Sequence, residues 1–123
     1  MTMRDGPMVR CPEVEGPRVA APPFAAHLQF EDGCAVVAVR GELDFATAPD
    51  LAERLAEAVA ADPKSVVVDL TEASFLDCFG IHEIVGAREE LGAESELIIR
   101  RARPFMVKVL RILEIDQNCV IEE

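Results

Sequence analysis

Apolar residues run almost unbroken through Ala35–Arg40 (AVVAVR) and recur every three or four residues in several later segments. With His27–Phe30, the first pattern predicts two short strands joined across Glu31-Asp32-Gly33, a hairpin signal. The stretch 41-GELDFATAPD-50 leads into a helix. Thr47 is placed to cap it, and Pro49 and Asp50 sit in the first turn, where a missing N–H and a negative charge are both tolerated. Leu51, Leu55, Ala58 and Val59 share one helical face, which Asp62-Pro63 ends. Ser65–Leu70 (SVVVDL) is apolar on both faces, as a covered parallel strand tends to be, and a seven-residue loop then reaches Cys78. From Gly80 onward Ile81, Ile84, Val85, Arg88 and Leu91 predict a second helix, with Gly92 as its left-handed cap. Glu96–Arg100 (ELIIR) reads as a strand. Residues 104–113 (PFMVKVLRIL) read as a third helix with Met106, Val109, Leu110 and Leu113 turned to the core, and 119-CVI-121 as a last short strand.

The order ββαβαβαβ requires right-handed crossovers and predicts an α/β fold around a small, mostly parallel mixed sheet with an N-terminal hairpin and about three helices. The loops after the second and third strands then leave the sheet at its carboxyl ends. Glu42, Asp44, Asp77 and Cys78 are expected at that pole, where α/β sheets usually bind ligands and partners. Residues 1–26 hold five of the eight prolines, few large apolar side chains and no regular period. They are expected to form a flexible arm, joined at 22-PPFAA-26 to a domain over residues 27–123.

Composition narrows the function. A chain of 123 residues, half of them hydrophobic but with neither Trp nor Tyr, suits one domain with an aliphatic core. No apolar run approaches the roughly 20 residues needed to span a bilayer. The N-terminus lacks the charged-then-apolar order of a signal peptide, so a cytoplasmic location is expected, without membrane insertion. Residues 27–99 carry four basic against sixteen acidic side chains, so this segment accounts for all of the chain's net charge of −11. Such a surface repels phosphate backbones and anionic lipid, which disfavours direct nucleic-acid binding and favours a protein partner. The cysteines at 11, 34, 78 and 119 lack the close spacing of zinc ligands, and His27 and His82 stand alone. No metal and no cofactor are therefore expected. The acids of 89-EELGAESE-96 read as a solvated helix end. The basic group 100-RRARP-104 reads either as a balance to nearby acids or as a small anion or partner site.

The segments VVAVRGELDFATAPDL, SVVVDLTEASFLDCFGIHEIV and FMVKVLRILEIDQNCVI resemble the STAS domain of bacterial anti-anti-sigma factors, the anti-sigma factor antagonists. GELD after one strand and F-(L/M)-D-S-(S/A)-G after the next form a fairly specific pair. The resemblance implies a STAS-like β/α superhelix with no catalytic activity. It also implies an anti-sigma factor as partner, in many cases a serine-kinase-fold protein, whose capture releases a sigma factor to RNA polymerase. Phosphorylation of the serine after the loop aspartate breaks the complex. On that pattern Asp77 matches the loop acid, Gly80 the glycine at the helix start and Asp44 the acid of the neighbouring loop. Cys78 stands at the phosphoacceptor position and Phe79 at the small residue after it. A thiol is not a normal substrate for a serine kinase; Ser74 and Thr71 carry hydroxyls in the same loop but do not match the acceptor position.

Glu42, Asp44, Asp77, Cys78, Phe79 and Gly80 are thus the expected partner-binding residues, and Cys78 and Ser74 the candidates for modification. Two accounts of Cys78 stand. In one, the helix N-terminus favours its thiolate, and oxidation replaces phosphate as the perturbing event. In the other, it is a small stand-in for serine and this point is unregulated. Phe79 is either core filler under the second helix or an exposed aromatic anchor. Cys34 and Cys119 both begin strands and should lie at the opposite pole from Cys78, too far for a disulfide; only Cys11 on the arm has the reach. Two alternatives remain. One is a STAS subunit of a larger signalling or lipid-transport assembly. The other is an enzyme using Cys78 in thiol chemistry, weakened because no resolving cysteine or basic residue adjoins it.

Overall fold

A two-residue turn sets the first strand pair. Asp32 and Gly33 both adopt positive φ (51° and 84°), the backbone that lets β1 (Ala25–Glu31) fold back on β2 (Cys34–Leu43) in antiparallel register. The computed structural model describes residues 23–122. The rest of the expected arm, Cys11 included, lies outside the described residues, and β1 takes in Ala25 and Ala26. The chain continues through α1 (Ala48–Ala60), β3 (Ser65–Leu76), α2 (Cys78–Glu90), β4 (Glu96–Arg100), α3 (Pro104–Ile112), a short 3-10 turn at Ile115–Gln117, and β5 (Val120–Glu122). The mixed α/β class, the hairpin and the three helices agree with the reading of the sequence.

Strand order in the sheet follows chain order, β1-β2-β3-β4-β5, and all pairs after the first are parallel. Right-handed crossovers that always step in one direction place α1, α2 and α3 on the same face. Alternation follows from this: Ala35, Val37, Val39 and Leu43 of β2 are buried beneath the helices, while Ala38, Arg40 and Glu42 on the other face are exposed. Val66, Val68, Leu70, Leu97 and Ile99 join them with Leu51, Leu55, Ile84, Met106 and Leu110 from the helices in one core.

Four local expectations need correction. The expected loop before Cys78 is strand: β3 runs on to Leu76 beside the Arg40–Leu43 end of β2. The register shifts twice there, so the buried positions fall at Leu70, Ala73 and Leu76 instead of every second residue. Helix α2 starts at Cys78, two residues earlier than expected, because Asp77 caps it. Gly92 is not a left-handed cap: the helix ends at an extended Leu91, and the Arg88 guanidinium donates to the carbonyls of Ser95 (2.7 Å) and Gly92 (3.3 Å). Finally, α3 turns Met106, Val107 and Leu110 inward, leaving Val109 and Leu113, both expected in the core, exposed.

Candidate functional site

The carboxyl pole is built by two helix starts. In the turn before α1, the Asp44 carboxylate oxygen Oδ1 accepts from the backbone N–H of Ala46 (3.0 Å) and Thr47 (3.2 Å). Thr47 is the N-cap residue but makes no side-chain capping bond. Its hydroxyl instead donates to the Glu42 carbonyl (2.8 Å) and accepts from the Asp44 N–H (2.9 Å), pinning the turn to the end of β2. Asp44, and not the expected Thr47, thus supplies the side-chain oxygen that satisfies free N–H groups of the turn.

The second start repeats the chemistry. Asp77, in extended conformation, accepts at Oδ1 from the N–H of Phe79 (2.9 Å) and Gly80 (3.3 Å), an N-cap. Its own N–H donates to the Leu43 carbonyl (3.1 Å), which ties the head of α2 to the last residue of β2. Gly80 makes this approach possible. A Cβ there would lie 2.5 Å from Leu43 Cγ and 2.9 Å from Leu76 Cδ1, closer than packed carbon atoms come. Both carboxylates therefore hold backbone in place while remaining half-buried at the pole.

Between the two starts lies an apolar bridge. The rings of Phe45 and Phe79 sit 6.1 Å apart at 59°, within the range of favourable aromatic pairs. They are 69% and 54% exposed, so Phe79 does not tuck under α2. Phe45 was not singled out in the sequence; its signal is that it directly follows the acidic GELD turn. Cys78, the first residue of α2, is exposed between Asp77 and Phe79. Glu42 is exposed beside them at the end of β2. Glu42, Asp44, Asp77, Cys78, Phe79 and Gly80 are thereby neighbours at one pole, with Gly80 buried as a spacer. Ser74 is exposed on the bulged part of β3, and the Thr71 hydroxyl donates to Asp69 Oδ1 (2.6 Å).

Cys34 begins β2 beside Ser65, and Cys119 precedes β5, both at the amino ends of the strands, away from Cys78. All three are free thiols. Burial pushes the Cys119 thiol above its ordinary value of 9.0, against a smaller opposite pull from Arg88. Among the described residues no group of three or more His, Cys, Asp or Glu could hold a metal ion, and no helix is long and apolar enough to cross a membrane.

The family model described as STAS domain matches residues 25–122. The chain belongs to the STAS domain family. It is 36% identical over 61 residues to the anti-sigma-F factor antagonist RsfB of Mycobacterium tuberculosis, a match covering 50% of each chain. The matched segment thus spans about half the length of that curated relative. Among solved structures, an anti-sigma factor antagonist from Mycobacterium paratuberculosis superposes with a TM-score of 0.77 at 28% identity, covering 85% of this chain and 90% of that one. SpoIIAA in its unphosphorylated form gives a TM-score of 0.66 at 20% identity over 80% of this chain and 88% of its own, a likeness of fold alone.

Proposed function

We propose that this chain is an anti-sigma factor antagonist, a cytoplasmic binding protein without catalytic activity of its own. Its carboxyl pole docks an anti-sigma factor and so frees a sigma factor. The observation that carries the reading is the joined surface of two capping aspartates, Asp44 and Asp77, around the exposed Phe45–Phe79 pair. Exposed aromatics ringed by acids suit a partner that offers an apolar pocket with Lys or Arg at its rim, since aromatic anchors supply affinity and peripheral charge supplies steering. The names of the relatives support the same role, RsfB and the Mycobacterium paratuberculosis protein both being antagonists.

SpoIIAA has a phosphorylated form. In this chain the residue at the head of α2 is a thiol, Cys78. A phosphate there would add roughly −1.5 to −2 charges at neutral pH beside Asp77 and Asp44 and repel a matched partner. With cysteine in place, a serine kinase lacks its acceptor, and the complex persists under conditions that dissociate a serine-bearing antagonist. Affinity capture from native lysate, with the wild-type chain and Phe79→Ala as paired baits, tests the reading. The expected result is a kinase-fold anti-sigma factor retained by the wild type and lost with the variant. Retention of a large or membrane-attached particle, unaffected by Phe79→Ala, would overturn it.

A further inference from the structure

The two edges of the sheet are built differently. β5 is three residues long, whereas β1 runs for seven, Ala25–Glu31, in unbroken register with β2. Among the described residues β1 has β2 as its one sheet neighbour. The two-residue turn at Asp32-Gly33 makes Glu31 and Cys34 the closing pair, so Glu31, Gln29, His27 and Ala25 exchange backbone bonds with β2. Ala26, Leu28 and Phe30 then turn their N–H and C=O groups outward, to the free edge. The devices that blunt such an edge are missing from it: β1 contains no Lys, no Pro and no bulge. Its two faces also differ. Ala26 and Leu28 pack against the core beneath the helices, while Phe30, next on that face, is 58% exposed. His27, Gln29 and Glu31 are exposed on the helix-free face.

We propose that the free edge of β1 pairs antiparallel with β1 of a second copy of this chain, joining two five-stranded sheets into one about a two-fold axis at Leu28. In that register the strand is complementary to itself. Leu28 meets the partner's Leu28, and Phe30 meets the partner's Ala26, so the large uncovered side chain lies against the smallest one on the same face. These outward residues exchange backbone bonds in both directions. On the other face His27 meets the partner's Gln29 and Ala25 the partner's Glu31, so two chains of net charge −11 meet without opposed carboxylates. Pro22-Pro23 and the Asp32-Gly33 turn fall just outside the paired stretch and confine it to these residues. The arm is a poor occupant of the edge: prolines at 7, 12, 17, 22 and 23 leave it no proline-free run as long as β1. β1 supplies no residue of the Asp44–Asp77 pole, so the inference does not depend on the anti-sigma reading.

The test uses the full chain. Sedimentation should give, with rising concentration, a mass twice the 13.4 kDa of one chain, and amide exchange at Ala26, Leu28 and Phe30 should slow in step. In a mixture of isotope-labelled and unlabelled chains, an Hα–Hα contact should join His27 to Gln29 of the other copy, a non-hydrogen-bonded pair where two antiparallel strands come closest. Phe30→Lys, at a position too exposed to disturb the core, should weaken association about tenfold or more while circular dichroism stays unchanged. Ile112→Lys, on the exposed apolar side of α3, should leave association unaltered. A mass of one chain at about millimolar concentration would overturn the proposal. So would slow exchange at the three amides in a monomer, which marks the arm as the occupant, or association lost with Ile112→Lys and kept with Phe30→Lys.

Discussion

Asp77 performs two separable tasks. Its carboxylate oxygen caps α2 through the N–H groups of Phe79 and Gly80, and its charge faces a partner on the proposed reading. Asp77→Ala removes both and should lower stability by about 1 kcal/mol, the usual cost of a lost cap. Asp77→Asn keeps the cap and should melt within a few tenths of a kcal/mol of the wild type while still weakening partner binding; thermal denaturation beside a binding titration checks both. At the next position Cys78→Ser should gain phosphate from the partner kinase of the proposed complex, read by intact-mass spectrometry, where the wild type gains none. Phe79 is an exposed, bulky side chain next to the acceptor position, so Cys78→Ser with Phe79→Ala should be modified faster than Cys78→Ser alone. What was legible at this scale were the residue types. That Asp44 and not Thr47 serves the turn before α1 depended on which oxygen reaches the free N–H groups.

Among the elements, the head of α2 against the ends of β2 and β3 is the tightest junction. Gly80→Ala would press a Cβ into Leu43 and Leu76, and since Leu43 is fully buried the side chains have little room to yield. A loss of about 1–3 kcal/mol is expected, with partner binding reduced as α2 shifts; chemical denaturation read by helix signal tests it. The strands and helices themselves were readable because each buries one periodic face. The last part of β3 was not, because two register shifts against β2 break the period that marks a strand. Helix α3 misled for a different reason. Phe105, Met106, Val107, Val109, Leu110, Ile112 and Leu113 satisfy more than one helical stripe, and only burial in the folded chain selected Met106, Val107 and Leu110 as the inner one.

At the scale of the whole molecule, stability should depend on pH through Cys119, 5% exposed in the core. The fold raises the pKa of this thiol above 9.0, so the native state holds the proton that the unfolded chain releases. Its contribution is fully present below about pH 9 and is lost as pH rises through the raised value. The denaturation midpoint should therefore fall at alkaline pH, and Cys119→Ala should flatten that decline; a thiol reagent at neutral pH should label exposed Cys78 well before Cys119. By itself, the sequence determined the element order, the parallel sheet and the meeting of two acidic turns at one pole. Periodicity, turn residues and crossover handedness are local or topological constraints that the order of residues expresses directly. Tertiary structure alone decided that Asp44 and Asp77 are committed to backbone, that Phe45 joins Phe79, and that one side of α3 stays apolar and uncovered. Each of these depends on distances between segments far apart in the chain, which close only when the core chooses which face of every element to bury.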